Sequence, residues 1–369
     1  RRRGEPAAPP RARVEDNKIV MEISDDDAAF ILGKQGKTKE KLARVSGARI
    51  ELYEDSRTLE IMGPPEARRR ARKYVEAVMA QRVGPVSIDE DEDTDDLTTV
   101  NVPNEAVGFV TGAQGNFLRS IEEEWGTLMF FAEYRGRRGP SAGVSTEKLA
   151  IFGPRRGRRG AHLKVLAAVE TKMRGFVTAA DLAFADDDDT FGTETRVLAD
   201  SELSYALGKD GSTRRKLARA SGCVMEFVGH IAFLSGSRDE RHRARDYLKW
   251  LLKQRNGPVH VEDLSERTDV LTIKVPPECV GYVTGNRGSS LRAIEEESGT
   301  FCFLESAGEQ AGGPDERLLV FGIDKAGRDK AERLVRQLVD EKLAGGARGY
   351  GGGGGGGYGG GGYGGGGGG

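Results

Sequence analysis

A turn of glycine, two residues and glycine occurs four times in this 369-residue chain: GKQG at 33–36, GAQG at 112–115, GKDG at 208–211 and GNRG at 285–288. Recurrence of this kind points to a string of similar small units. The flanking text repeats in alternation. LGKQGKTKEKLARVSGARIE of the first repeat matches LGKDGSTRRKLARASGCVME of the third, and VPNEAVGFVTGAQGNFLRSIEEEWGT of the second matches VPPECVGYVTGNRGSSLRAIEEESGT of the fourth. The offsets agree, 208 − 33 = 175 and 285 − 112 = 173, so a two-module unit is read as duplicated whole.

Each module has one layout, clearest in the first. KIVMEI (18–23) is rich in strand formers and precedes a short apolar segment, AAFIL (28–32), that runs into the glycines. KTKEKLARVSG reads as a helix with Leu42 and Val45 on one face and Gly47 as its stop. ARIELYE and RTLEIMG alternate as two strands joined by a tight turn at Asp55-Ser56, and Pro64-Pro65 opens a longer helix to about Arg82. Gly36-Lys37-Thr38 looks like the end of a nucleotide-binding P-loop, but the residue five before Gly36 is Ile31. The loop is too short to wrap a β-phosphate. GKDGST also lacks a lysine after its second glycine, which weakens the NTPase reading further.

Four such turns, each followed by a helix, a glycine and two strands, resemble the eukaryotic form of the KH (K homology) domain. The likeness covers about four-fifths of the chain, omitting the first sixteen residues, the acidic linkers and the tail. It implies an α+β fold of four modules, each a three-stranded antiparallel sheet with three helices on one face, arranged as two duplicated pairs. It also implies binding of about four unpaired nucleotides per module. The expected boundaries are a disordered basic N-terminus at 1–16, modules at 17–83, 97–176, 194–256 and 269–344, and acidic linkers at 84–96 and 177–193. A linker at 257–268 and a disordered Gly/Tyr tail at 345–369 complete the chain.

The residues suit RNA for a physical reason. A glycine turn lets a phosphodiester approach the backbone without meeting a Cβ, and the helix after it offers unpaired N–H groups and the positive end of its dipole. Bases would then lie on the apolar floor between the segment before the glycines and the following strand, where their edges are read by hydrogen bonds. The expected RNA-binding residues are Gly33, Lys34, Gln35, Gly36, Lys37 and Lys41 in the first repeat, and Gly112, Ala113, Gln114, Gly115, Arg119, Arg135, Arg137 and Arg138 in the second. The third contributes Gly208, Lys209, Asp210, Gly211, Arg214 and Arg215, and the fourth Gly285, Asn286, Arg287, Gly288 and Arg292.

Charge separates the repeats. From first turn glycine to helix-ending glycine, the first and third each hold five basic residues and one acid, net +4. The second has one arginine against three glutamates, net −2, and the fourth two against three, net −1. Since phosphate neutralisation supplies much of nucleic-acid affinity, the first and third are expected to bind backbone most strongly. YRGRRG (134–139) and RRGRRG (155–160) are expected to restore positive charge to the second. Three residues past the second glycine, where the family has an aliphatic side chain in its groove, Leu118 and Leu291 fit. Lys39 and Arg214 depart from that pattern, which implies more polar pockets, and Asp210 puts a negative charge beside the expected phosphate.

Composition excludes several classes. The net charge of −2 averages over segregated runs such as DEDEDTDD (89–96) and DDDD (186–189), which read as solvated linkers. Twenty of the 53 glycines lie in the last 25 residues, a stretch that cannot bury a core, where Tyr350, Tyr358 and Tyr363 could stack on bases. There is no apolar run long enough to span a membrane, and three cysteines without ligand spacing point to a reducing, intracellular compartment, nucleus and/or cytoplasm. The chain opens on arginine rather than methionine, which leaves open a fragment, a missing targeting peptide and an organellar location. The expectation is therefore a non-enzymatic protein that binds single-stranded RNA and uses no cofactor or metal, serving post-transcriptional regulation or RNP assembly. The alternatives are single-stranded DNA binding, or a scaffold in which the second and fourth repeats contact proteins.

Overall fold

A computed structural model describes residues 12–15, 17–89, 95–135, 146–177, 184, 187–262, 264–305 and 316–347. Every glycine turn lies in the same run of elements. Around the first are β2 (Lys18–Glu22), α1 (Asp25–Leu32), α2 (Lys37–Ser46), β3 (Arg49–Tyr53), β4 (Thr58–Met62) and α3 (Pro65–Val83), preceded by β1 (Ala12–Glu15). Around the second are β5 (Val86–Asp89), β6 (Leu97–Pro103), α4 (Asn104–Thr111), α5 (Asn116–Trp125), β7 (Leu128–Arg135), β8 (Thr146–Phe152) and α6 (Arg155–Lys172). The third has β9 (Gly192–Val197), α7 (Asp200–Leu207), α8 (Ser212–Ser221), β10 (Val224–Val228), β11 (Ile231–Gly236) and α9 (Arg238–Lys253). The fourth has β12 (Val270–Val275), α10 (Pro277–Thr284), α11 (Ser289–Ser298), β13 (Phe301–Glu305), β14 (Glu316–Phe321) and α12 (Lys325–Ala347). The sheets run β1-β2-β4-β3, β5-β7-β8-β6, β10-β11-β9 and β12-β14-β13, an α+β architecture in which β5 pairs with β7 in parallel and the other strands described here pair antiparallel.

Local chemistry sets the element ends. Ser24 caps α1 by accepting from the Asp27 N–H, and Asp25, Asp26 and Asp27 place negative charge at the positive end of the helix. The helices after the first, second and fourth turns stop at Gly47, Gly126 and Gly299, each in the left-handed conformation that ends a helix without a Cβ clash. In the strands, alternation decides burial: Leu59 and Ile61 of β4 face the core at 0% exposure, while Glu60 between them pairs with Lys18 at 2.6 Å.

Among the described residues two compact units separate, one drawn from Arg1–Ala218 and Gly222–Asp246, the other from Arg219–Ser221 and Tyr247–Gly369. In the first unit the modules share cores. One cluster joins Tyr74, Val75 and Val78 of α3 to Leu128, Phe130 and Phe152 of the next sheet, with the Tyr74 and Phe152 rings 5.4 Å apart. A second joins Leu163, Leu166 and Val169 of α6 to Val224, Val228 and Phe233 of the sheet after it. Within the second unit, Tyr247 and Trp250 lie on Phe301, Phe303 and Phe321, Trp250 and Phe321 at 4.7 Å.

Several segments expected to be linkers carry structure. Residues 86–89, inside the expected 84–96 linker, form β5 beside β7, because Val86 and Ile88 alternate with polar residues and are buried. Residues 12–15 of the expected disordered N-terminus pair with β2. Within 177–193, Asp187 and Asp188 accept from Arg159 and Arg155 at 2.8 and 2.7 Å. Within 257–268, Val259 bridges to Glu305. RRGRRG was expected to lend positive charge to the second turn, and it does not. Arg156 holds Glu240 at 2.9 Å, Arg159 is 2% exposed over the Phe184 ring, and Arg158 is buried against the carbonyls of Gly153 and Leu97. Most of the expected loop YRGRRG, at 136–139, and the tail beyond Ala347 lie outside the described residues.

Candidate nucleic-acid interface

The four turns share one backbone conformation. The residue before the second glycine is left-handed in each: Gln35 at φ 58°, Gln114 at 52°, Asp210 at 51° and Arg287 at 51°. A non-glycine residue held there is strained by about 1–3 kcal/mol, and such strain concentrates where a backbone must be presented in one shape. The turns are tied back by their own carbonyls, Gly33 N–H donating to Ala29 and Gly36 N–H to Gly33. The paired residues between the glycines are exposed in every module: Lys34 and Gln35, Ala113 and Gln114, Lys209 and Asp210, Asn286 and Arg287.

The two glycines of each turn do different things. A Cβ on the first would meet the next helix, 2.9 Å from Thr38 Cβ at Gly33, 2.6 Å from Phe117 Cβ at Gly112, 2.8 Å from Thr213 Cβ at Gly208 and 2.7 Å from Ser290 N at Gly285. The first glycine is therefore required by packing. The second is the N-cap of α2, α5 and α11 in its modules, and no side chain caps those helices. Around Gly36 nothing lies within 4 Å of a built Cβ, whereas Arg119, Arg215 and Arg292 bring a guanidinium nitrogen to 3.0, 3.3 and 3.3 Å of that point at Gly115, Gly211 and Gly288. Arg119 and Arg215 also donate to the carbonyls of the strained residues Gln114 and Asp210. The first repeat has Glu40 at this place, and its turn is the open one. Lys34 and Lys37 stand exposed beside it with no ion-pair partner among the described residues.

Two expected contacts are corrected. Lys41 does not face the turn: its ammonium binds Glu122 of the second module at 2.9 Å. Arg214 is 5% exposed, donating to the Met225 carbonyl at 2.6 Å and pairing with Glu226 at 3.2 Å. Lys39 makes a looser pair with Glu51 at 3.6 Å. Both cations reach from the helix after the turn to the edge strand beside it, so the net +4 of the first and third repeats overstates the charge left for a ligand. The Arg135 side chain, and Arg137 and Arg138 entirely, lie outside the described residues.

Sequence reasoning overlooked one regularity. Three residues before each first glycine stands an aromatic residue, and all four are exposed: Phe30, Phe109, Tyr205 and Tyr282 at 40%, 47%, 41% and 44%. Their constant spacing was the available signal. Exposed aromatic faces beside a cationic turn are what unpaired bases stack on. Among the described residues no group of acidic, histidine or cysteine side chains could hold a metal ion, and no helix is long and apolar enough to cross a membrane.

The KH domain family model matches residues 18–77 and 270–337, the first and fourth runs of elements. Far upstream element-binding protein 2 of Rattus norvegicus is 21% identical over 91% of this chain and 50% of its own length. Far upstream element-binding protein 1 of Mus musculus is 20% identical over 91% of this chain and 55% of its own. The chain thus spans about half the length of the curated relatives it matches. Among solved structures, Dim2p from Pyrococcus horikoshii OT3 is 20% identical with a TM-score of 0.21, covering 45% of this chain and 96% of that one.

Proposed function

We propose that this chain binds single-stranded RNA through its glycine turns, with the phosphate backbone at the turn and bases in the groove beside it. Nucleic-acid binding at this coarse level follows from the KH matches. Four modules in two duplicated pairs are part of the same reading, with residues 12–15 joined to the first and 86–89 to the second. The observation that carries it is the first turn: a left-handed backbone, an unobstructed Gly36, an uncapped helix N-terminus, and two exposed lysines with no ion-pair partner among the described residues, all at one place. Each is an ordinary feature; together they form a shape and charge complementary to a phosphodiester. The relatives' names speak of an element-binding protein, which favours a role in which a defined nucleic-acid sequence is recognised. We place the protein inside the cell, in nucleus and/or cytoplasm.

The test is RNA affinity across a salt series. Lys34→Asp with Gln35→Asp is expected to weaken binding about tenfold or more and to flatten the slope of log K against log salt, since about one phosphate contact per lost cation disappears. Ala113→Asp with Gln114→Asp is expected to do less, because Arg119 remains at that turn. Equal affinity in all three proteins removes the turn assignment. Single-stranded DNA in the same titration separates the two nucleic acids. A scaffold role keeps one observation in its favour, the use of Arg155, Arg156 and Arg159 for contacts between modules. It predicts lost protein partners with RNA affinity unchanged.

A further inference from the structure

The strand that opens each module, β2, β6, β9 or β12, lies at one side of its sheet, and its outer edge is treated differently in each. In the first module β1 runs antiparallel along β2, with Ala12 opposite Met21 and packed against the core. In the second, Arg158 of α6 donates to the Leu97 carbonyl and the Thr98 hydroxyl of β6. In the third, Glu194 of β9 is tied to Arg241 and Arg245 of α9 at 3.2 and 3.3 Å. In the fourth, among the described residues, no strand pairs with the outer edge of β12.

Register identifies the counterparts. Met21 lies opposite Leu59 and Ile273 opposite Leu318, and Leu59 and Leu318 each stand four residues before the glycine that follows their strand, Gly63 or Gly322. Ile273 therefore holds the place of Met21. Where the first module sets Ala12 against its core, Ile273 borders a cavity of about 140 Å³, lined also by Val335 and Val339 of α12 and by Lys274, Arg336 and Asp340. An open strand edge offers N–H and C=O groups to a further strand, and a pocket beside it selects one side chain of that strand.

We propose that the outer edge of β12 is a docking site for an extended acidic segment of a partner protein. The segment adds antiparallel as a fourth strand, seats a small apolar side chain in the cavity and sets an aspartate or glutamate opposite Lys274. Charge selects this occupant. A strand laid on β12 in the register of β1 brings the residue before its small apolar one opposite Lys274, which is exposed and has no ion-pair partner among the described residues. Opposite charges directly across a strand pair stabilise it, and like charges destabilise it. β12 of a second copy has no acidic residue to offer, nor has the glycine-rich stretch 345–369 of this chain. The site stands apart from the glycine turns and does not depend on the RNA reading.

The probes are a synthetic peptide of residues 9–16, PPRARVED, and the same peptide with Arg11→Glu, each titrated with the full chain by fluorescence anisotropy while hydrogen exchange locates the contact. The Arg11→Glu peptide is expected to bind and to slow exchange at 270–275. The native peptide is expected to bind about tenfold more weakly, the difference between an attractive and a repulsive pair at Lys274. Lys274→Glu, a change at an exposed position, is expected to invert that order. Val339→Phe fills the cavity and is expected to weaken the Arg11→Glu peptide about tenfold; should its melting curve show it unfolded, Val339→Leu is read in the same way. Absence of protection at 270–275, or equal affinity of the two peptides for the wild-type chain, overturns the proposal. Protection of 270–275 that grows with protein concentration in the absence of peptide also overturns it, and assigns the edge to a second copy.

Discussion

At Gly33 and Gly36 two identical residues three apart answer to different demands. Gly33 has φ +65° and Thr38 packed where a Cβ would go, so Gly33→Ala is expected to destabilise the first unit by about 1–3 kcal/mol, measured by urea unfolding. Gly36 has φ +78° but open space, and Gly36→Ala is expected to cost about 1 kcal/mol of stability while lowering RNA affinity by a larger factor, since the new methyl stands where phosphate would approach. If both changes cost stability and affinity alike, the division of labour is wrong. Cys223 answers to burial: its thiol is pushed up to about 12. It is expected to resist thiol reagents at pH 8 until the protein is unfolded, a comparison Ellman titration makes directly.

At the scale of elements, the last helix of a module carries its joint to the next sheet. Tyr74 donates to Asp96 at 2.6 Å and packs on Phe152; in the second unit Tyr247 donates to Asp269 at 2.8 Å and packs on Phe321. Tyr74→Phe keeps the ring and loses one charge-assisted bond, about 1.5–3 kcal/mol, whereas Tyr74→Ala also opens a cavity and is expected to cost about 3–5 kcal/mol. Thermal melts of the two variants separate the contributions. Burial pushes the Asp269 carboxyl up, but bonds from Arg267 and Tyr247 outweigh it and hold the group below the ordinary carboxylate range. A depressed folded value means that the carboxylate's contribution is complete above its unfolded value and is lost as pH falls through the folded one. The second unit is therefore expected to keep this joint at neutral pH and to lose it only below about pH 4, and Asp269→Asn is expected to flatten that acid limb of the stability curve.

Across the whole chain, outer sheet faces separate the first module from the others. The first carries Lys18, Glu51 and Glu60 on its outer face, while the second presents Leu128, Phe130 and Phe152, covered by α3. Removing 17–83 is expected to expose that apolar face, and the shortened protein should bind a hydrophobic dye and aggregate where the full chain does not. If it stays soluble and dye-free, the modules of the first unit are independent. Shared burial also bears on avidity. If the turns are the binding sites, turns held in one compact unit would meet one strand of nucleic acid with less ordering entropy than turns on free linkers.

The repeat, the order of elements and the glycine turns could be read from the residues alone, because each is local: a glycine fixes a turn, a period of two fixes a strand, a helix stop fixes a boundary. The α+β class followed from these, and so did the expectation that the turn is the site. What charge and spacing could not say was where each long side chain would go. Lys41, Arg214 and the RRGRRG arginines look available to a phosphate in the linear text, yet they are committed to Glu122, Glu226, Asp187, Asp188 and Glu240, partners as many as 84 positions away. Likewise residues 86–89 read as part of an acidic linker until the neighbouring sheet offers β7 an open edge. Only the tertiary structure could settle these points, because a charge or a strand edge is satisfied by whatever lies nearest in space, and one-dimensional order does not carry that distance.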